Sequence, residues 1–131
     1  IGLAAHTALL KRLKIMIMTM IPVELLCDKH LVKEHDIVHE LALDIAKHKI
    51  DLAGSVLANK VEPMHIAYRH DELAKEMLER GLIHFSPLEQ PIISYMPMAQ
   101  QIATVDYKRW SRNLTAICED CKELHRKLRN A

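Results

Sequence analysis

Three groups of side chains in this sequence have the types and spacing that chemistry uses. His35 and His39 stand four residues apart, so on a helix they face the same way and can hold a metal ion between them. No third ligand is fixed beside them by spacing, and a solvated pair is the simpler expectation. Cys118-x2-Cys121-x3-His125 resembles a zinc half-site. All three residues fall on one face of a predicted helix, however, and that face is apolar, where cysteine packs as a small hydrophobe. A structural zinc needs a fourth ligand, and Cys27 is the only other cysteine. No metal and no cofactor is therefore expected. The third group is basic. Seven Lys or Arg against three acids lie between Tyr107 and Ala131, with Lys108, Arg109 and Arg112 close together. Such a helix is either a solvated face or a surface that tracks phosphates. Lys11, Arg12 and Lys14 form a second basic cluster.

Helices must position these groups. From Pro22 to about Lys49, Leu26, Cys27, His30, Leu31, Ile37, Val38, Leu41 and Ile45 recur at helical spacing and mark a buried stripe. His30 sits in that stripe and reads as a core histidine before a ligand. Pro63 suits a first helical position, where a missing N–H costs nothing. Behind it, Ile66, Ala67, His70, Leu73, Ala74, Met77 and Leu78 share a face, and Gly81 supplies the left-handed residue that stops the helix. Asp71 with Lys75, and Glu76 with Arg80, place an acid four residues before a base on the outer side. Pro97 opens a predicted long helix to about Leu128, with a stripe of Ile102, Val105, Trp110, Leu114, Ile117, Cys118, Cys121, Leu124 and Leu128. A short amphipathic helix is expected over Leu3 to Leu13. Three glycines and five prolines leave little room for turn-rich β architecture. The expected fold is all-α: a compact single domain of three main helices plus a short N-terminal helix. Residues 1–15 would form an N-terminal extension helix and residues 16–131 the domain itself.

Composition narrows the classes. A net charge of +1 gives no global sign of a polyanion partner. Three cysteines, an odd number, argue against a disulfide framework and for a reducing compartment. No apolar run approaches the roughly 20 residues that span a bilayer. Ile15 to Pro22 is too short and lacks a signal-peptide cleavage pattern. The expectation is a cytoplasmic protein with no membrane partner.

Two blocks carry a resemblance. Val61 to Leu88 reads VEPMHIAYRHDELAKEMLERGLIHFSPL, and Met20 to His39 reads MIPVELLCDKHLVKEHDIVH. The run YRHDELAKEMLERG followed by H and SPL looks like a signature of the pyrimidine-dimer DNA glycosylases of the phage endonuclease V type. The other block resembles the opening helix of those enzymes, and the two occur in the family's order. With weaker similarity in the C-terminal third, the resemblance covers about Met16 to Leu128. It implies an all-α fold, a DNA glycosylase with an associated AP lyase step, and double-stranded DNA as partner.

The resemblance also implies a chemistry. A free α-amine at the mature N-terminus attacks C1′ of the damaged nucleotide and forms an imine. An α-amine has a pKa of about 7.7–8.0 against about 10.4 for lysine, so much of it is unprotonated at neutral pH. A glutamate on the first long helix handles protons and the developing positive charge. In the branch that the chain resembles most, the initiator Met falls on Met16 and the amine on Ile17. Fifteen residues precede Ile17 in this sequence, and a peptide nitrogen is not nucleophilic, so this chemistry requires that the amine be freed. The family's glutamate, seven residues beyond His30, falls on Ile37, which cannot ionise. Glu34 and Asp36 are the nearby carboxylates that could stand in. Asp36 is rotated about 100° from position 37, and Glu34 lies nearer its face. His35, His39, Arg69, His70 and Arg80 then become expected DNA-groove residues, with His84 in support, and Arg69 and His70 either line the groove or brace it. Lys108, Arg109 and Arg112 would join Arg69 on the phosphates. Two readings follow: a repair glycosylase and lyase acting on pyrimidine dimers, or a catalytically inactive homologue serving as a DNA-binding or structural module. In the second, Leu3, Leu9, Leu10 and Leu13 would offer a contact face to a protein partner or a second copy.

Overall fold

The computed structural model describes residues 16–48, 59–82 and 86–130. The expected N-terminal helix, its basic cluster and leucine face, most of the Asp51–Lys60 connection and His84 lie outside these residues. Among the described residues the regular structure is entirely helical. The main helices are α1 (Asp28–Ala46), α2 (Ile66–Glu79), α3 (Met98–Gln101), α4 (Tyr107–Ile117) and α5 (Glu119–Arg129). Single 3-10 turns at Val23–Leu25 and Pro63–His65 lead into the first two. None of these helices is long and apolar enough to cross a membrane.

α1 and α2 pack on one another as the centre of the fold. Leu31, Val38, Leu41 and Ile45 from α1 meet Ile66, Leu73 and Met77 from α2, and all are buried. The turn that ends α2 follows from its sequence. Gly81 has φ +75, its N–H reaches the Leu78 carbonyl at 3.1 Å, and the Leu82 N–H reaches Met77 at 2.8 Å. These two bonds satisfy carbonyls that the helix leaves over. Leu78, expected in the buried stripe, is instead 55% exposed.

An irregular segment, residues 16–22, threads against this pair. Over residues 16–19 its side chains alternate: Met16 and Met18 are buried in the core, while Ile17 and Thr19 are only partly covered; Met20, with φ 56, breaks the pattern and Ile21 is again buried. The Met18 N–H donates to the Lys60 carbonyl at 2.8 Å, which pins the thread to the start of the second helical region.

The C-terminal third differs from the single helix expected from Pro97 to Leu128. It is broken twice. Between α3 and α4, the N–H of Val105 goes to Glu62 Oε2 at 2.6 Å and that of Asp106 to Asn59 Oδ1 at 2.5 Å. Acceptors from a distant loop thus take donors that a continuous helix would use internally. Asp106 then caps α4 by accepting from the Lys108 N–H at 3.1 Å. The second break is Cys118, with φ −121 and ψ 111, which ends α4 and starts α5. Glu119 and Asp120 follow it in the first turn of α5, where negative charge suits a helix N-terminus. The breaks put the predicted stripe out of phase. Leu114 and Cys121 are buried, but Ile102, Ile117 and Leu128 are exposed.

Candidate functional site

Ile17, Thr19, Leu26, His30, Lys33, Glu34, Ile37, Trp110, Asn113, Leu114 and Ile117 line a cleft of about 320 Å³. The thread, the first half of α1 and one face of α4 form its walls. Its size lies within the roughly 300–1,000 Å³ typical of small-molecule sites. Three positions singled out by the family pattern meet here: Ile17, Glu34 and Ile37. Lys33, Asn113 and Trp110 join them from positions whose spacing gave no sign of a shared site. The Trp110 ring is fixed by its Nε1–H, which donates to the Asn59 carbonyl at 2.7 Å.

Glu34 is the charged centre of this wall. It is 3% exposed, accepts from the Thr19 hydroxyl, and pairs with Arg69 Nε at 2.5 Å. Arg69 is 1% exposed. Its other contacts are the Ile21 carbonyl at 2.8 Å and Glu72 at 3.6 Å. The guanidinium is thus fully engaged inside the protein. This corrects the expectation that Arg69 grips phosphate: of the two roles weighed for it, burial leaves bracing. Asp36 is 70% exposed at the side chain, approaches His35 Nδ1 at 3.6 Å, and does not line the cleft.

The histidines also depart from a groove-facing arrangement. His35, His39 and His70 meet at the α1–α2 contact, with ring centroids 4.7–4.8 Å apart. His35 and His70 are fully buried and His39 half-buried. Burial first, and then the charges that His39 and His70 would carry, holds His35 below the ordinary histidine range. Arg80, expected at DNA, closes the end of α2 onto the start of α1. It bonds Glu76 at 2.9 Å, Asp28 at 3.0 Å and the Val23 carbonyl at 3.0 Å. Lys108, Arg109 and Arg112 are exposed on α4, as a phosphate-tracking surface requires. Arg109 lies over the Trp110 ring at 5.5 Å, which brings a cation to the side chain that walls the cleft. Arg112 faces a separate groove between α4 and α5.

Among the described residues, two clusters bring metal-ligand atoms together. The three histidines form one, so the third partner missing from the His35–His39 spacing is His70 on the neighbouring helix. The other is Cys27, His30, Cys118 and Cys121, whose donor atoms lie within 4.8 Å of one another. Here the expected half-site is corrected. His125 turns away, with Nε2 on Ser111 Oγ at 2.7 Å and Nδ1 on the Cys121 carbonyl at 2.7 Å. The break at Cys118 also removes the single helical face on which the three residues were placed. His30 Nδ1 takes the vacated position, 3.1 Å from Cys27 Sγ and 3.7 Å from Cys121 Sγ. Burial, then the charges of Lys33 and Lys29, keeps His30 below its ordinary value.

No family model, curated protein or solved structure matches this chain.

Proposed function

We propose that this protein acts on pyrimidine dimers in duplex DNA as a glycosylase and AP lyase, with the cleft receiving the extrahelical nucleotide. The observation that carries the reading is the convergence of Ile17 and Glu34 on one cleft beside Trp110. The family resemblance requires an amine and a carboxylate at such a place, and an aromatic wall suits a base taken out of the stack. In a chain beginning at Ile17, the α-amine attacks C1′. The glycosidic bond breaks, and the base leaves with the bonding electron pair and a proton. The C1′–O4′ bond then opens as the amine gives up its proton, with O4′ taking the bonding pair and a proton, and the imine that results loses the 3′ phosphate by elimination, which cleaves the strand. Glu34, held by Arg69 and Thr19, faces the positive charge that develops. Lys108 and Arg109 hold the flanking backbone.

Two observations favour a second reading, in which the fold binds damaged DNA without reacting. Ile37 replaces the expected carboxylate, and Met16 is 2% exposed in the core. Freeing the Ile17 amine removes that packed side chain.

Borohydride trapping on duplex containing a dimer or an abasic site separates the two. The expected result is a covalent adduct with a chain starting at Ile17 and none with the full chain. No adduct from either rejects the imine reaction. Binding to abasic duplex that weakens steeply with salt then supports the unreactive module. Binding independent of salt rejects any role on DNA.

A further inference from the structure

We propose that Cys27, His30, Cys118 and Cys121 form a structural zinc site that staples the C-terminal helices to the start of α1. The site is independent of the reading of the cleft, because it is built from side chains that take no part in the reaction.

The donor atoms are spaced closely enough for one tetrahedral ion, with two edges near the ideal length and the His30–Cys27 edge about half an ångström short of it. With Zn–S near 2.3 Å and Zn–N near 2.0–2.1 Å, a regular tetrahedron has S···S edges of about 3.8 Å and S···N edges of about 3.6 Å. Cys27 Sγ and Cys118 Sγ are 3.9 Å apart. His30 Nδ1 is 3.7 Å from Cys121 Sγ and 3.1 Å from Cys27 Sγ. All four donor atoms fit within 4.8 Å, the span of a single ion and not of an iron–sulfur cluster. A direct S–S bond needs about 2.05 Å, and the three cysteines are free.

The chain also supplies what such sites carry around them. The ligands come as two short pairs, Cys27-x2-His30 and Cys118-x2-Cys121. Each pair begins at the residue that caps a helix, α1 in the first case and α5 in the second. The first turn of each helix thereby aims its second ligand back at its first. The Cys27 N–H donates to Cys121 Sγ at 3.4 Å, a bond that steadies a thiolate. Cys27 and Cys121 are buried, and Cys118 and His30 are partly covered, so the centre is closed to substrate but open enough for loading. Three thiolates and one imidazole form a donor set that selects zinc among common divalent ions. On binding, the thiols release their protons to solvent, and no redox partner is needed.

The break at Cys118 gains a purpose from this assignment. A continuous helix would carry Cys118 and Cys121 past α1, whereas the extended residue lets α5 turn so that both sulfurs face Cys27. Leu26 and His30 line the cleft from one side and Leu114 and Ile117 from the other. The ion therefore fixes the distance between two cleft walls.

Cobalt(II) substitution of the full chain tests the site, alongside zinc content after purification without chelator. The expected result is a single ion per chain, with thiolate-to-cobalt charge transfer and the intense visible bands of tetrahedral cobalt. Cys118→Ser is expected to abolish that spectrum. His30→Cys should keep it with stronger charge-transfer intensity, and His125→Ala should leave it unchanged. No tetrahedral spectrum from the unaltered chain overturns the proposal. So does a spectrum that survives Cys118→Ser, or one lost in His125→Ala but insensitive to His30→Cys. The His30→Cys comparison keeps the test decisive if the serine variant fails to fold.

Discussion

Replacing Arg69 with methionine removes the positive half of the buried pair on which the cleft wall rests. Arg69 and Glu34 are 1% and 3% exposed, and the Nε–Oε2 distance is 2.5 Å. Methionine fills most of the space of the arginine stem, so the loss is electrostatic and polar more than steric. Glu34 keeps the Thr19 hydroxyl but loses the buried cation that pairs with it, and the Ile21 carbonyl loses its donor. Removing one partner of a buried pair costs about 3–5 kcal/mol. A domain of this size has a total stability of about 5–15 kcal/mol, so the variant forfeits about a fifth of it or more. At roughly 3–5 °C per kcal/mol, the thermal midpoint falls by about 9–25 °C. Urea unfolding followed by circular dichroism at neutral pH measures the free-energy loss, and a thermal melt the midpoint. The double variant Arg69→Met with Glu34→Gln removes both charges and is expected to be more stable than Arg69→Met alone, with a coupling of about 1–3 kcal/mol. A single variant within 1 kcal/mol of the parent, or a double variant that merely adds the two losses, refutes the claim that the pair is desolvated and mutually dependent.

Three further outcomes follow from the same structure. The folded state holds His35 below its ordinary value of 6.5, so unfolding takes up a proton. Its contribution is fully present above pH 6.5 and is lost as the pH falls from there through the lower folded value. The urea midpoint should drop between pH 7 and about pH 5, and His35→Gln should flatten that slope; an unchanged slope contradicts the assignment. Gly81→Ala should cost about 1–2 kcal/mol, because φ is +75 there although nothing lies within 4 Å of an added Cβ. Gly81→Asn should cost less, as thermal melts of the two will show. On the proposed reading, Lys108→Ala and Arg109→Ala should each lower the salt slope of DNA binding by about one and weaken all sequences alike, which filter binding at several salt concentrations checks.

Much of α1 and α2 was legible because their order is local. The recurrence of Leu31, Val38, Leu41 and Ile45 encodes a buried face, and Gly81 encodes a stop, without reference to the rest of the chain. The C-terminal third was misread for the opposite reason. The first of its breaks depends on Asn59 and Glu62 capturing the N–H groups of Asp106 and Val105, more than forty residues away. Periodicity alone continues straight through them. The same limit hid the metal-ligand cluster. Cys118, Cys121 and His125 attracted notice by being close in sequence, whereas His30 reaches Cys121 from 91 residues away. Arg69 misled in another way: charge suggested a surface role, and only the position of Glu34 one helix away explains its burial. The one signal that could have paired them was the presence of both within otherwise apolar faces.

The stretch 16–19 of the thread has a reading frame of its own, which ends where Met20 takes φ 56 and Ile21 turns back into the core. Because its inward and outward side chains alternate with a period of two, adding or deleting one residue there exchanges the faces wholesale. A helix would absorb such an indel as a partial rotation, but here the methionines would be driven into the cleft, with Ile17 and Thr19 sent into the interior. A change of length in this stretch is therefore penalised in a way that no single substitution is.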